Sequence, residues 1–428
     1  MPIAAPHPAA SAIAVNHHLP SAPLPRETTP ERLHAGTSTS NITAATGIST
    51  ISTNRTTSIT KTPCFSFFSS FSASCSQAGR DQNVSLDFNE TAIAPSPSLS
   101  TTRAHFHPPK PTFTDKDVPD LTGRVCIVTG SNTGIGKEVA RTLYSKNARV
   151  YVAARSQEKA RSAIREIKES TPSSAGSLEF LSLDLSDLNH VREAARSFLA
   201  REQRLDVLFN NAGVMVGSAF EPVPRTAQGY ELCLGVNCVG TMLFTELLTP
   251  VLAATAKKLG GAGSGSVRVV WLSSFALELF AQTNVGVPLD NLDYHVPKPG
   301  TERYGISKVG AWALGVEYAK RHRDDGIVSV PINPGNLTSE LPRHQGVVLK
   351  TVARLVGYPP LFGAYTELWA AFSPEVTPDK SGSWVAPFGR FYPLREDLHK
   401  ATRPEAEGGT GGTAKFWEWI QEQIQPYL

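Results

Sequence analysis

Tyr304 and Lys308, in the stretch YGISK that follows PKPG, stand four positions apart at the start of a helical pattern. On an α-helix such residues share a face, so a phenol and an ammonium can enter one pocket. A free tyrosine ionises near pH ~10, and a cation held close by favours the phenolate and lowers that value. The pair is therefore suited to passing a proton to or from an oxygen whose charge changes during a reaction. An amphipathic surface helix carrying both residues is the plain alternative, and the rest of the chain has to decide. A second candidate lies upstream in TGSNTGIG, residues 129–136. There Gly130 permits a tight turn, Gly134 lets backbone amides approach a phosphate, and Gly136 lets the following helix pack close to a sheet. The spacing is not GxGxxG, and an ordinary strand-to-helix loop is the alternative.

These residues need elements to position them. RVCIVTG (124–130), ARVYVAAR (148–155), LEFLSLDL (178–185), LDVLFNNAG (205–213), SVRVVWLSS (266–274) and IVSVPINPG (327–335) read as buried strands. Each is rich in β-branched or aromatic residues and bounded by a turn signal. Between them, GIGKEVARTLYSK, SQEKARSAIREIKES and DLNHVREAARSFLARE carry apolar residues at helical spacing. Strand and helix in alternation imply an α/β fold, a parallel sheet with helices on both faces, as one domain over 116–428 with no internal repeat. The glycine turn then ends the first strand and opens a helix, which favours a phosphate site over a plain loop.

In order along the chain stand TGxxxGxG at the first strand, NNAG at 210–213, paired serines at 273 and 274, YxxxK at 304–308, and NPG at 333–335 with Thr338. Five motifs in this order, each at a strand end or helix start, resemble the short-chain dehydrogenase/reductase family over residues 120–400. The long gap between Ser274 and Tyr304 and the text CIVTGSNTGIGKEVA are similar to its retinol-dehydrogenase-like group. The resemblance implies a doubly wound Rossmann-type fold and a hydride-transferring oxidoreductase. It makes Tyr304 the general acid/base and gives Lys308 two tasks: lowering the tyrosine pKa and bonding the nicotinamide ribose. It implies that Ser274 stabilises the substrate oxygen, and that Asn237, in LGVNCVGT, holds a water linking Lys308 to solvent. Two alternatives stay open: Ser273 and Ser274 as helix caps, and Asn237 as a buried amide satisfied by backbone. Gly130, Ser131, Asn132, Gly134, Ile135 and Gly136 match the cofactor turn. Asp184 and Leu185 match the adenine pair, Asn211, Ala212 and Gly213 the backbone behind the adenosine and ribose, and Pro334, Gly335 and Thr338 the loop over the nicotinamide.

Cofactor choice is read at the end of the second strand, in VAARS. An acid there would bond the ribose hydroxyls of NAD, whereas an arginine meets the extra phosphate of NADP. Ala154 stands where the acid would be and Arg155 follows, so NADP(H) is expected over NAD(H), with a solvated Arg155 as the alternative. Phe275–Arg303 and Leu341–Pro374, rich in Phe, Leu, Val, Tyr and Trp, are expected to wall a pocket for a lipophilic alcohol or carbonyl. The same composition serves a core or a dimer interface. A catalytically silent NADP-binding sensor or scaffold is the other class of function, and an intact Ser274, Tyr304 and Lys308 argues against it. Substrate, reaction direction and oligomeric state are not written in these motifs. The resemblance alone suggests a homo-oligomer.

The 428 residues are 40% hydrophobic with a formal net charge of +3, enough for a sizeable core and too little charge for a nucleic-acid binder. Five cysteines, without a CxxC pair or nearby histidine, indicate neither a disulfide framework nor a metal site, and a reducing, cytoplasmic setting fits. No integral membrane segment is expected, because no apolar run reaches the ~18 residues a spanning helix needs. Residues 1–115 are dense in Ser, Thr, Pro and Ala and read as a disordered extension. Its processing cannot be read, its apolar patch CFSFFSSFSASC is a tether or nothing, and organelle targeting is the lesser alternative to the cytoplasm. His295 and His322 are expected on the surface. EAEGGTGGT reads as a flexible linker before a packed C-terminal helix with Phe416, Ile420 and Ile424 on one face.

Overall fold

The computed structural model describes residues 96–217, 222–338 and 357–428. The described residues all fall in one compact unit, Ser85–Leu428. The apolar patch at 64–75 and residues 341–356 of the expected pocket wall lie outside them.

All six expected strands form: β1 (Val125–Thr129), β2 (Arg149–Ala154), β3 (Ser177–Ser182), β4 (Val207–Asn210), β5 (Val267–Leu272) and β6 (Ile327–Ile332). Two short ones follow, β7 (Val385–Ala386) and β8 (Arg390–Phe391), giving one sheet in the order β3-β2-β1-β4-β5-β6-β7-β8. Pairing is parallel up to β7, and β8 turns back antiparallel on it. Every residue of β1, β4, β5 and β6 is buried, as expected for a parallel sheet covered on both faces. The strand order reverses between β1 and β4, and the crevice outside the carboxyl ends at such a reversal is where doubly wound sheets bind ligands.

The helices are α1 (Leu99–Phe106), α2 (Gly134–Ser145), α3 (Gln157–Ser170), α4 (Leu188–Leu199), α5 (Leu232–Lys258), α6 (Ala276–Phe280), α7 (Gly300–Arg321), α8 (Pro360–Phe372), α9 (Glu396–Thr402) and α10 (Gly412–Ile424). One apolar core joins α4, α5, α7 and α10 to one sheet face, and a second joins α2, α3 and α8 to the other. Among the described residues α5 is the one helix long and apolar enough to cross a membrane, but most of it is buried inside the fold, where it serves as a core helix. It holds a π-helical stretch, Gly235–Gly240, around Asn237.

Four expectations need correcting. The boundary at residue 115 falls inside the fold: α1 occupies part of 96–115, with His105 2% and Phe113 8% exposed. The composition of LSTTRAHF hides this, because a few large side chains dock it and no apolar stripe runs along it. EAEGGTGGT is no loose linker: a Cβ at Gly409 would lie 2.1 Å from the Arg403 carbonyl, and one at Gly412 would lie 2.0 Å from that of Val285. These glycines permit close backbone approach instead of slack. The described end of the second expected wall, α8, packs on α2 and the sheet as core. His295 is exposed as expected, whereas His322 is half-buried with its ring 4.1 Å from that of Tyr318.

Candidate active site

β1 ends at Thr129, and the chain swings through Gly130 (φ +69°) and Gly134 (φ +59°) into α2. Thr133 at the cap makes no side-chain hydrogen bond to the first turn, so the helix start presents its amides to an incoming anion. A Cβ at Gly136 would stand 2.5 Å from Asn211 Nδ2. That amide donates to the Thr129 carbonyl (2.6 Å), and the Ala212 N–H donates to Thr129 Oγ1 (2.9 Å). The strand-to-helix turn and Asn211–Gly213 are thus one knitted unit. Ser131 is buried and donates to the Val128 carbonyl (2.6 Å), so its hydroxyl shapes the turn; Asn132 and Ile135 complete it, the latter packed beneath Gly363.

At the other end Arg155 is exposed on a cleft of about 370 Å³ that Asp184, His190 and Glu193 also line. The Asp184 carboxylate is occupied by the Ser186 N–H (2.9 Å) and hydroxyl (2.6 Å), and its own N–H donates to His190 Nδ1 (2.8 Å). A Cβ at Gly240 would lie 2.2 Å from the Leu185 carbonyl, so α5 reaches this loop only because that position is glycine.

The paired serines part ways at the end of β5. Ser273 is buried and donates to the Lys308 carbonyl (2.7 Å), whereas the half-buried Ser274 hydroxyl stands beside the Tyr304 phenol and pulls its pKa down. Strand alternation therefore aims Ser274 into the crevice. Lys308 Nζ donates to the Leu272 carbonyl (2.7 Å) and lies 5.8 Å from the Tyr304 ring centroid. Burial lowers the Lys308 pKa to about 8, against smaller opposing effects of Cys238, Cys233 and Glu367. The expected lowering of the tyrosine is not what the site shows: burial pushes the phenol up, and the nearby Cys233 thiol adds to this.

Asn237, 3% exposed, accepts from the Val214 N–H (2.9 Å) and donates to the Val214 carbonyl (3.1 Å) and Ser307 Oγ (2.9 Å). Its amide is thus satisfied by protein, and it fixes the segment after Gly213, where a Cβ would meet Lys308 Nζ at 3.1 Å. Pro334 and Gly335 (φ +100°) follow β6, and Thr338 pairs with Tyr358, its N–H 2.9 Å from that carbonyl.

Several residues escaped the sequence patterns. Glu367 on α8 is 1% exposed, has no hydrogen-bond partner for either oxygen among the described residues, and is raised to about 8 by burial, with Lys308 opposing. Cys233 and His105 also reach the site region. No local motif marks any of them, because each arrives from a distant element.

A family model described as short chain dehydrogenase matches residues 124–276. A short-chain dehydrogenase/reductase, bet4, of Neocamarosporium betae is 48% identical over 335 residues, covering 78% of this chain and 96% of its own. A short-chain dehydrogenase/reductase of Phomopsis amygdali is 48% identical over 336 residues, covering 77% and 98%. The crystal structure of an uncharacterised Mycobacterium paratuberculosis protein superposes with a TM-score of 0.51 at 26% identity, covering 73% of this chain and 97% of that one. Similarity through nearly the full length of both fungal relatives shows that the chain belongs to the short-chain dehydrogenase/reductase family, as an oxidoreductase acting on CH–OH donors with an NAD(P)-binding Rossmann-type fold.

Proposed function

We propose that the protein interconverts a lipophilic alcohol and its carbonyl with NADP(H), Tyr304 acting as general acid/base. The observation that carries this is the meeting of Ser274, Tyr304 and Lys308 at the carboxyl end of β5, beside the glycine turn. When bound, the nicotinamide supplies or accepts the hydride. The Ser274 hydroxyl and the Tyr304 phenol hold the substrate oxygen, and the phenol, kept protonated by burial, gives its proton as that oxygen gains charge. Lys308, fixed on the Leu272 carbonyl, stabilises the phenolate that remains. Asn237 holds the backbone that flanks the lysine. Ser131, Asn132, Gly134, Ile135 and Gly136 take the pyrophosphate, Asp184 and Leu185 the adenine, and Pro334, Gly335 and Thr338 the nicotinamide. The exposed Arg155, with Ala154 before it, favours the extra phosphate of NADP, and the half-buried Phe275 next to Ser274 favours an apolar substrate. Three free, buried thiols, Cys126, Cys233 and Cys238, suit a reducing cytoplasmic setting.

The test is oxidation of NADPH and NADH by purified protein against lipophilic aldehydes, ketones and quinones, with Tyr304→Phe alongside. The expected result is turnover with NADPH, reduced at least ~100-fold in the variant at nearly unchanged NADPH affinity. Tight NADPH binding without turnover of any compound by the native protein would favour a silent sensor.

A further inference from the structure

We infer that His105, on the helix that precedes the dinucleotide fold, is a positioning residue of the active site: it pins the turn Asn333–Pro334–Gly335 and carries α1 onto the residue that follows Ser274. The inference rests on the proposed role of that turn as the loop over the nicotinamide.

The hydrogen-bond directions follow in sequence. The Gly335 N–H donates to Asn333 Oδ1 (3.1 Å), which fixes the amide so that Nδ2 points the other way. Nδ2 lies 2.9 Å from His105 Nδ1, and an amide nitrogen can only donate. His105 is therefore a neutral imidazole accepting at Nδ1, with its proton on Nε2. Its surroundings agree: burial and the Arg390 guanidinium on β8 hold the imidazole well below the ordinary histidine range, at about 4. Nε2 is buried without a partner among the described residues, a cost that an apolar residue docking the same helix would avoid. What histidine adds is the acceptor for Asn333.

α1 is fixed at several further points. Arg390 Nη2 donates to the Ala104 carbonyl (2.6 Å), and the His105 ring lies 4.8 Å from that of Tyr392. The rings of His105 and Phe106 lie 5.3 Å and 5.1 Å from that of Phe275. One histidine thus joins the turn after β6 to the residue next to the Ser274 hydroxyl. These two segments must hold the ring of the cofactor and the oxygen of the substrate in register.

The experiment compares full-length native protein with His105→Leu, which keeps bulk and loses the acceptor, His105→Gln, which restores an acceptor, and Asn333→Asp, which keeps the bond to Gly335 and loses the donor. Hydrogen–deuterium exchange at residues 333–338 in ligand-free protein reads the pin directly. NADPH affinity by fluorescence titration and the split between KM and kcat read its consequence. Faster exchange and roughly five- to tenfold weaker NADPH binding are expected in His105→Leu and Asn333→Asp, with recovery in His105→Gln. The double variant is expected to show no further loss, as befits two ends of one bond. Native exchange and native affinity in both single variants would overturn the inference. Failure of the native protein to bind either nicotinamide would sink the proposed function while leaving the exchange comparison to decide the pin.

Discussion

At the scale of single residues, the proposed chemistry turns on two ionisable groups, and both are displaced by burial. The Tyr304 phenol is held above its ordinary range and the Lys308 ammonium is brought down to about 8. In the proposed reaction, carbonyl reduction would use the protonated phenol and a positive Lys308 to stabilise what remains after proton transfer. The charged lysine prevails below its pKa and is lost as the pH rises through it. We therefore expect kcat/KM for reduction to be flat at neutral pH and to fall about tenfold per pH unit above about 8. Lys308→Arg should move that limb to higher pH, because guanidinium keeps its proton. A rate profile with no limb between neutrality and the tyrosine range would remove Lys308 from this role. The sequence made Tyr304 and Lys308 legible because helical spacing is local. It left open whether Ser273 and Ser274 merely cap a helix, since what occupies Ser273 is the Lys308 carbonyl 35 positions away. Glu367 was invisible for the same reason: nothing in GAYTELWAA shows that its carboxyl is buried on the side from which it feels Lys308.

At the scale of elements, the glycine turn is formed by three segments that close on one another without room for a side chain. The six long strands were legible, each being a β-branched run ended by a turn. The pairs β7 and β8 were not, because two residues carry no periodicity and exist only by registering on β6 and on each other. α1 was hidden by its Ser- and Thr-rich composition, and its place is set by Arg390, Tyr392 and Phe275, all far along the chain. The glycine pattern, by contrast, reported its geometry faithfully. In Gly136→Ala the new methyl would meet Asn211 Nδ2 at 2.5 Å and the Gly130 carbonyl at 3.0 Å, so α2 must back away from the turn. We expect a loss of about 1–3 kcal/mol in stability and at least ~10-fold in NADPH affinity, measured by denaturant unfolding and fluorescence titration. Native affinity in a well-folded Gly136→Ala protein would show that the glycine turn does not need that close approach.

At the scale of the whole molecule, the helix bearing Tyr304 and Lys308 is held from the chain's far end. α10 lies along α7 with Phe416, Ile420 and Ile424 fully buried, as their spacing foretold. Thr413 donates to Glu317 (2.7 Å), and the Arg321 guanidinium sits 4.7 Å over the Trp417 ring. Gln421 ties the same helix to Glu246 on α5 (3.0 Å). Because α10 shares one core with both α5 and α7, loosening it should loosen the site with the rest. Ile420→Ala removes a side chain with no exposed surface and should cost about 2–5 kcal/mol. Two probes test whether that cost is global: hydrogen–deuterium exchange at residues 412–424, which reports on α10, and NADPH binding, which reports on the sheet crevice. Their urea midpoints should shift together in the variant, as one cooperative unit requires. An early loss of exchange protection in α10 with NADPH binding intact would make α10 an independent appendage and would leave α7 to position Tyr304 through its contacts with the sheet and α6 alone.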